Sequence, residues 1–325
     1  MGDKKNRKQM QVFSRIRQLF RRSRCKIVYR SEYITAIHAR NAHRAFDVMK
    51  FKKIRDQLFR EHLIRKSDML MPQRVSDDDL LRVHTREYLE SLKNPVLVGQ
   101  YLNLDYINPW DDYIFEYFRY ITGGTILAAE YALMHNFVVF NLGGGYHHAH
   151  PDRAEGFCLI NDVAVAIEKL RAEQQLQKVL VVDLDYHQGN GVLLYYQRDP
   201  DVFTFSIHAD TWNDVEKENS VDIELPAHTR DAEYLSVLKT LLPAVFDRFT
   251  PELVLYLAGS DPYMGDTLGD FDLSPEGMLE RDRFVYCQVR QRKIPLAVLA
   301  AGGYGPDSWK IYFNFIQWVI KNGNP

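Results

Sequence analysis

The chain alternates between short apolar segments and longer segments with helical periodicity, and this alternation restricts the folds that it can adopt. The apolar segments are rich in β-branched residues and almost continuously hydrophobic, as buried parallel strands are; they comprise residues 26–29, 137–142, 179–184, 202–207, 253–258 and 296–300. Helical patterns occupy residues 77–92, 111–134, 161–174, 231–249, 274–292 and 308–320, and Ser76 or Asp77 is a plausible N-cap for the first of them. The alternation predicts an α/β fold: a single domain with a central, mainly parallel β-sheet and helices on both faces.

Length and composition set broad limits on this domain. With 325 residues, 46% of them hydrophobic, the chain can bury a large core. Its net charge of −2 gives no reason to expect direct binding of nucleic acid. Cys25, Cys158 and Cys287 are too few and too widely spaced for a disulfide framework, which fits a reducing, intracellular compartment. We expect a cytoplasmic protein without a membrane span, while a nuclear or organellar location stays open.

The first 25 residues differ from the rest because they form a strongly basic tail. Phe13, Ile16 and Phe20 follow one another at helical spacing, and arginines lie between and after them. A basic amphipathic helix that contacts an anionic membrane surface or a partner is one interpretation. A transit peptide and a partly disordered or surface-docked tail are the alternatives. We therefore divide the chain into this tail, residues 1–25, and a globular domain, residues 26–325.

Polar motifs follow several of the predicted strands at the point where each strand ends, which is where open α/β sheets carry their functional loops. Residues 141–150 read Asn-Leu-Gly-Gly-Gly-Tyr-His-His-Ala-His, so His147 and His148 follow a glycine run that lets the backbone approach another group closely. In Asp183-Leu-Asp185-Tyr-His187, alternate residues of an extended chain share a face. Two carboxylates and an imidazole on one face are costly to bury unless a cation lies among them.

Polar residues at two further strand ends complete the set of candidate catalytic and metal-binding residues. Asp261 follows the strand at 253–258, and Tyr304 lies between glycines after the strand at 296–300. Asp185, His187 and Asp261 supply the three oxygen and nitrogen ligands of a catalytic zinc site. His147 and His148 can act as general base and general acid, and Tyr304 can donate a hydrogen bond to a developing oxyanion. Together these groups predict metal-assisted hydrolysis of an amide.

The same motifs resemble those of the histone deacetylases and their bacterial acetylpolyamine and acetoin-utilisation relatives. The matching segments are GGGYHHAHPDRAEGFCLINDVAVAI (143–167), VVDLDYHQGNG (181–191), FSIH (205–208), AGSDPYMGDTLG (258–269) and AGGYG (301–305). They occur in order from about Ile27 to the C-terminus, and DLDYHQGNG and VHTREYLESLK (83–93) resemble the class IV branch most. The resemblance implies an arginase/deacetylase-like domain with one zinc ion, and an enzyme that removes acetyl or longer acyl groups from the lysine side chains of proteins or peptides.

The resemblance also implies individual roles. Asp185, His187 and Asp261 match the zinc ligands, and Tyr304 matches the tyrosine that stabilises the oxyanion. His147 and His148 match the catalytic histidine pair, with Asp183 behind the first and Asn190 behind the second. Because an amide cannot raise the basicity of imidazole as a carboxylate does, His148 is the better candidate for the proton shuttle. Other matched positions concern substrate and potassium: Gly156 and Phe157 at the wall of the substrate tunnel; Asp183, Asp185, His187, Ser206 and Ile207 at an inner potassium site; Tyr196, Asp199, Val202 and Val221 at an outer one.

Departures from the family pattern leave the substrate open. Residues 209–213 replace the loop that forms the opposite tunnel wall, and Trp212 could substitute for that wall. Asp105, Asp111 and Asp112 are all candidates for the carboxylate at the tunnel rim. An acetylpolyamine amidohydrolase is the leading alternative; a two-metal ureohydrolase and a non-catalytic acyl-lysine-binding protein are less favoured. An Asp₂His ligand set can also hold Fe(II) in place of zinc, and the sequence does not define the oligomeric state.

Overall fold

A single eight-stranded sheet organises the computed structural model, which describes residues 24–34, 47, 49–102, 113–213 and 218–323. The strands are β1 (Lys26–Val28), β2 (Met69–Leu70), β3 (Val138–Asn141), β4 (Val179–Asp183), β5 (Val202–His208), β6 (Ser220–Glu224), β7 (Leu253–Leu257) and β8 (Leu296–Leu299). Their order is β2-β1-β3-β8-β7-β4-β5-β6, and all the neighbouring pairs of these strands are parallel. The predicted α/β fold with a parallel sheet is therefore confirmed. Residues 1–23 of the basic tail and the candidate rim residues Asp105, Asp111 and Asp112 lie outside the described residues.

Ten α-helices connect and cover the strands in the described part of the chain. They are α1 (Met49–Arg60), α2 (Asp77–Leu80), α3 (Arg86–Ser91), α4 (Pro95–Tyr101), α5 (Tyr113–His135), α6 (Asp162–Ala172), α7 (Asn190–Tyr195), α8 (Asp231–Arg248), α9 (Pro275–Gln291) and α10 (Ser308–Asn322). Helix α5 packs on α6, while α8, α9, α10 and α1 pack in series. None of the helices described is both long and apolar enough to cross a membrane.

The six strands that the sequence predicted are β1, β3, β4, β5, β7 and β8, and the two that it missed, β2 and β6, lie at the edges of the sheet. Residues of β3, β4, β5, β7 and β8 are buried throughout, and those strands are accordingly dominated by apolar residues. Strand β6 is only partly buried and alternates polar with apolar residues, while β2 has two residues. Edge strands lack the continuous apolar signal because one side of each faces solvent.

The prediction of one helix over residues 77–92 was wrong, because two short helices occupy this region. Ser76 accepts a hydrogen bond from the Asp79 N–H at the start of α2, and Thr85 accepts one from the Tyr88 N–H at the start of α3. The break lies at His84, whose buried ring contacts the His150 carbonyl through Nδ1 at 3.0 Å and accepts from the Asn161 N–H through Nε2 at 3.0 Å. Those two contacts fix His84 as a neutral donor–acceptor, and burial lowers its pKa to about 4.

Strand order determines where the functional loops meet. Strand β7 lies between β8 and β4, and β5 lies on the other side of β4. Asp183 at the end of β4 is in register with Leu257 at the end of β7 and with Ser206 in β5. Because these strands are parallel, the segments that follow them leave from the same edge of the sheet.

Candidate metal centre and active site

Three acidic and imidazole groups from two loops converge at this edge. Asp185 and His187 follow β4, Asp261 follows β7, and one ligand atom from each lies within 4.8 Å of the others. His187 Nδ1 is 3.2 Å from Asp185 Oδ1 and 3.2 Å from Asp261 Oδ2. Both aspartates are fully buried, with exposed fractions of 1% and 0%. Nitrogen and oxygen ligands gathered at one buried point are what a zinc ion requires.

Backbone groups orient the carboxylates of this cluster. The Gly302 N–H donates to Asp185 Oδ2 at 2.7 Å, and the Tyr186 N–H donates to Asp261 Oδ1 at 3.0 Å. A Cβ on Gly302 would lie 2.3 Å from Asp261 Oδ2, so only glycine allows the backbone to pass this close. The remaining oxygens of both carboxylates point toward His187.

Buried Arg281 on α9 ties together the two loops that carry the cluster. Its Nη1 donates to the Leu184 carbonyl at 2.9 Å and to the Gly259 carbonyl at 2.8 Å. Its charge is paired with buried Asp282, at 2.8 Å. The segments after β4 and β7 are thus fixed relative to each other by one guanidinium.

The electrostatics of the cluster favour a bound cation. Burial and repulsion from Asp185 raise the pKa of Asp261, so the two carboxylates resist being ionised together. Although burial opposes it, hydrogen bonds to both carboxylates raise the pKa of His187 to about 10. Two buried carboxylates therefore need a positive charge between them. A divalent metal bound by both carboxylates and by His187 would supply that charge. The residues present fit a zinc ion.

Each of the two adjacent histidines beside the cluster is hydrogen-bonded to a side chain behind it, and the two rings meet edge-to-face. His147 Nδ1 is 2.7 Å from Asp183 Oδ2, and His148 Nδ1 is 2.7 Å from Asn190 Oδ1. The two rings face each other through Nε2, at 3.1 Å. The histidine pair therefore has a carboxylate behind one member and an amide behind the other.

The surroundings of the two histidines shift their pKa values in opposite directions. Burial disfavours charge on His147, but the Asp183 and Asp185 carboxylates outweigh it and raise its pKa to about 9. Burial, followed by the charge on His147, holds the pKa of His148 well below its usual range. These shifts make His147 the more basic member and His148 the less basic one, although the hydrogen bond to Asn190 itself raises the pKa of His148. The roles assigned to the two histidines stay predictions.

The amide of Asn190 has its orientation fixed by acceptors on its other side. Asn190 Nδ2 donates to Glu155 Oε2 at 2.9 Å and to Asn213 Oδ1 at 2.7 Å. Its Oδ1 must then face His148, so His148 Nδ1 carries the hydrogen and Nε2 keeps its lone pair. The Nε2 lone pair of His148 therefore faces the partner ring, where it can accept the Nε2–H of His147 at 3.1 Å.

Buried Asp162 holds the loop that carries both histidines. Its carboxylate accepts the Gly145 N–H at 3.0 Å and the Tyr146 N–H at 2.7 Å, and it also accepts from the Thr125 hydroxyl. The sequence analysis did not single it out. Asp162 is the first residue of α6, where an acidic residue is common, so the sequence gives no reason to expect another role. Its hydrogen-bond partners lie in a loop that is distant in the sequence.

The loop after β8 places Tyr304 against the cluster. Its ring lies edge-to-face with the His187 ring at a centroid distance of 6.2 Å. Asp266 Oδ2 accepts the Tyr304 N–H at 2.6 Å and the Gly305 N–H at 3.0 Å. Burial, followed by the charges of Asp261 and Asp185, raises the pKa of Tyr304 well above its usual value, so its hydroxyl stays protonated.

Lys50 on α1 holds the loop that carries Tyr304 by hydrogen bonds to its backbone. The sequence analysis did not identify Lys50. Only 1% of Lys50 is exposed, and its Nζ donates to the carbonyls of Gly303 at 2.9 Å, Ala301 at 3.3 Å and Gly302 at 3.4 Å. A signal was available, because Lys50, Ile54 and Leu58 recur every four residues and so lie on one helix face. A lysine in the buried stripe of a helix indicates a buried partner.

Gly156 and Phe157 form the two central positions of a tight turn beside His148. Their φ angles are 53° and 61°, and the Cys158 N–H donates to the Glu155 carbonyl at 2.8 Å. Two positive φ values make this a type I′ turn, which is unfavourable for an aromatic residue. A Cβ on Gly156 would lie 2.2 Å from His148 Cδ2. The Phe157 side chain remains 37% exposed, so the strained turn presents it to solvent.

The residues predicted for potassium lie on β4, β5 and β6 and in the segments that follow β4 and α7. Ser206 is paired with Asp183 across β4 and β5, and its buried hydroxyl makes no hydrogen bond of good geometry to the described residues. At the outer position, the Asp199 carboxylate is bound by Arg171 at 2.5 Å. An ion there would therefore rely on other oxygens, and both potassium sites stay predictions.

Comparisons with known proteins agree over most of the chain. A sequence model of the histone deacetylase domain matches residues 44–316. An uncharacterised protein of Picosynechococcus is 33% identical over 86% of this chain and 92% of its own length. Histone deacetylase 2 of Arabidopsis thaliana is 30% identical over 93% of this chain and 80% of its own length. The crystal structure of an HDAC homolog from Aquifex aeolicus, at 27% identity, covers 93% of this chain and 85% of its own with a TM-score of 0.78.

These matches and the site geometry identify the class of protein. The chain belongs to the histone deacetylase family. It is a hydrolase that acts on amides, and its family is zinc-dependent. The predicted family and reaction class are confirmed.

Proposed function

We propose that this protein is a zinc-dependent deacylase that hydrolyses the amide of acyl-lysine in proteins or peptides. The observation that carries the proposal is the convergence of Asp185, His187 and Asp261 beside a histidine pair of unequal basicity. When bound, zinc supplies Lewis acidity and activates water at neutral pH. We place the catalytic domain at residues 26–325, with the basic tail at 1–25 as a separate contact segment for a membrane surface or a partner.

The histidine pair and Tyr304 then share the proton transfers and the stabilisation of charge. His148 is the neutral member and serves as the base: its Nε2 receives a proton from the attacking water in place of the hydrogen bond from His147. His147 stays paired with Asp183 and holds positive charge beside the developing oxyanion. Tyr304 donates its hydroxyl hydrogen to that oxyanion, and the leaving amine regains a proton from the histidine pair. We further propose an inner potassium ion at Asp183, Asp185, His187, Ser206 and Ile207, and membership of the class IV branch on the strength of Gln188 and Asn190.

The substrate class follows from the exposed apolar side chains at this edge. Of the large hydrophobic side chains that are exposed among the described residues, Phe157, Trp212, Met264 and Leu268 all lie on loops that follow β3, β5 and β7. Apolar groups around a polar centre suit an aliphatic stem that ends in an amide.

The deciding experiment is deacylation of fluorogenic lysine peptides that carry acyl groups from acetyl to long fatty chains, with acylated polyamines in parallel. We expect turnover of the peptides, loss of turnover with a chelator, and recovery when zinc is restored. Turnover of polyamines alone would identify an acetylpolyamine amidohydrolase. Absence of turnover on every acylated amine, with one zinc bound, would refute the proposal.

Replacing Lys50 by Met should lower kcat/KM by about 10²-fold, because the loop that positions Tyr304 loses three hydrogen bonds and small misplacements near the chemistry cost this much. The matched control is Lys53→Met, which removes an exposed lysine of the same helix. Wild-type kcat/KM in the Lys50 variant would contradict the positioning role.

The same substitution should change how stability depends on pH. Burial lowers the pKa of Lys50 to about 8 from an ordinary 10.5. Between these values the unfolded chain holds a proton that the folded chain lacks, so this group makes the free energy of unfolding rise with pH in that window. Below about pH 8 both states are protonated and the full cost of burying the charge remains. Urea unfolding at several pH values should show this rise in wild type and Lys53→Met, and a smaller one in Lys50→Met.

Replacing Phe157 by Gly should separate activity from stability. The left-handed conformation costs a non-glycine residue about 1 kcal/mol or more, which offsets the packing lost with a partly exposed ring. We expect the free energy of unfolding to change by no more than about 1 kcal/mol, while kcat/KM on an acyl-lysine peptide falls about tenfold through KM. Urea unfolding and steady-state kinetics test this. A large loss of stability with unchanged KM would make Phe157 a packing residue only.

A further inference from the structure

The hydrogen bonds behind His148 continue past Asn190 to Glu155, a residue without a role in the mechanism proposed for the histidine pair. Asn190 Nδ2 donates to Glu155 Oε2 at 2.9 Å, and His150 Nε2 lies 2.5 Å from the same oxygen. Two lone pairs this close would repel each other, so His150 Nε2 carries a hydrogen and donates it. Glu155 Oε2 therefore accepts two hydrogen bonds, which is the capacity of one carboxylate oxygen.

The position of the Glu155 carboxylate is fixed, although 36% of its side chain is exposed. Glu155 begins the tight turn that ends at Cys158, and these two residues pair as an antiparallel bridge. The side chain of His150 is only 3% exposed, and the His150 N–H donates to the Arg153 carbonyl at 2.9 Å. The turn on one side and the buried imidazole on the other thus hold the carboxylate against Asn190.

An amide behind His148 can face the ring with either end, because it has a donor end and an acceptor end. Turning the amides of Asn190 and Asn213 together would keep the hydrogen bond between them, and Asn190 would then present Nδ2 to the ring in place of Oδ1. His148 Nδ1 would accept that hydrogen bond, and the ring hydrogen would move to Nε2. In that form Nε2 has no lone pair, so His148 cannot receive a proton from water there.

Glu155 opposes this reversal because of its chemistry. An ionised carboxylate only accepts hydrogen bonds, whereas an amide or a neutral imidazole can exchange its donor and acceptor positions. Turning Asn190 Oδ1 toward Glu155 would set two acceptors against each other where a hydrogen bond of 2.9 Å now lies. The amide of Asn213 offers no such opposition, because it can turn together with Asn190. The direction of the whole chain of hydrogen bonds therefore depends on the carboxylate.

We propose that Glu155 is a positioning residue for the proton shuttle: through Asn190 it keeps the ring hydrogen of His148 on Nδ1 and the lone pair on Nε2. His150 assists by donating to the carboxylate. This inference rests on the proposed deacylase function for the role of His148, but the tautomer of His148 can be measured without turnover. A carboxylate placed directly behind His148 would impose the same direction without Glu155.

The test measures the tautomer of His148 in the zinc-loaded, ¹⁵N-labelled full chain by two-bond ¹H–¹⁵N correlation of the imidazole rings. The signals of His148 are assigned by their loss in His148→Gln. The variants are Glu155→Leu, which removes the acceptor, and the double variant Glu155→Leu with Asn190→Asp, which moves a carboxylate next to the ring. Asn213 can turn its amide to donate to this new carboxylate. Glu87→Leu makes the same change at an exposed position on α3 and is the matched control.

Wild type and Glu87→Leu should carry the ring hydrogen of His148 on Nδ1. In Glu155→Leu the form with the hydrogen on Nε2 should become the major one. On an acyl-lysine peptide, kcat should then fall about tenfold, the equivalent of about 1.4 kcal/mol and in the range of one hydrogen bond to a charged group, while KM and zinc content stay near wild type. The double variant should return the hydrogen to Nδ1 and recover kcat to within about threefold, since only the basicity of the ring still differs.

Two results on the tautomer would overturn the inference: a hydrogen on Nε2 in wild type, or an unchanged tautomer in Glu155→Leu. A loss of kcat that the double variant does not recover would reduce Glu155 to a structural residue of the turn. If the tautomers follow the expected pattern but wild type hydrolyses no acylated amine, the deacylase proposal fails while the assignment of Glu155 stands.

Discussion

Asp261→Asn should reduce deacylation by at least about 10³-fold, because a metal that polarises a carbonyl supplies several kcal/mol and each 1.36 kcal/mol is a factor of ten in rate. The substitution leaves a neutral amide where the third ligand oxygen lay, 3.2 Å from His187 Nδ1. Bound zinc, measured by atomic absorption after gel filtration, should fall well below one per chain. The matched control is Asp247→Asn, which alters an exposed carboxylate on α8.

The same variant should respond differently from wild type to chelation. In wild type, zinc binds the folded state and not the unfolded one, so removing it lowers the melting temperature. Metal-free wild type also retains two buried carboxylates, Asp185 and Asp261, that repel each other. Asp261→Asn removes both effects, so EDTA should leave its melting temperature unchanged. The Tyr186 N–H can still donate to the Asn oxygen, which keeps the local fold.

Calorimetric melting of both proteins with and without EDTA measures this response. An equal downward shift in both would show that the metal binds elsewhere. Full activity of Asp261→Asn with one zinc bound would remove Asp261 from the ligand set and, with it, the proposed mechanism.

The sequence alone predicted only in part which residues of the candidate metal centre lie close together. Alternation along an extended chain placed Asp183, Asp185 and His187 on one face from the sequence alone. Asp261 was a weaker case, because its proximity depends on β7 lying beside β4, and the order of strands in a sheet is not a property of the local sequence. The family resemblance supplied that missing information.

The partners of the supporting charges were not predictable for a different reason, although the helical spacing of Lys50 indicates that it is buried. Lys50, Arg281 and Asp162 hold backbone carbonyls or N–H groups that lie far away in the chain, and a backbone group leaves no mark in the sequence. The division of residues 77–92 into two helices has a similar origin. His84 bonds to the backbone of residues 150 and 161, and no periodicity within the segment reveals those partners.

Tyr304→Phe should lower kcat by about 10²–10³-fold, the usual cost of losing one donor to an oxyanion. KM and zinc content should stay close to wild type, because the ring, its contact with His187 and the metal ligands all remain. The backbone of the loop should also be kept, since Asp266 binds the N–H groups of residues 304 and 305 and not the phenol. Tyr131→Phe, on α5, is the control for loss of a hydroxyl away from the site.

The pH dependence of this loss distinguishes a hydrogen-bond donor from a proton donor. Burial and the nearby carboxylates Asp261 and Asp185 raise the pKa of Tyr304 well above the usual value near 10, so its hydroxyl keeps its proton from pH 6 to pH 9. The ratio of wild-type to variant kcat should therefore be constant over that range, while both profiles keep the ionisations of the histidine pair. A ratio that falls to one at either end of the range would mean that Tyr304 titrates during turnover. A ratio below about three at every pH would mean that other groups stabilise the oxyanion. The charge on His147 would then be the first candidate, because the pKa of His147 is raised to about 9.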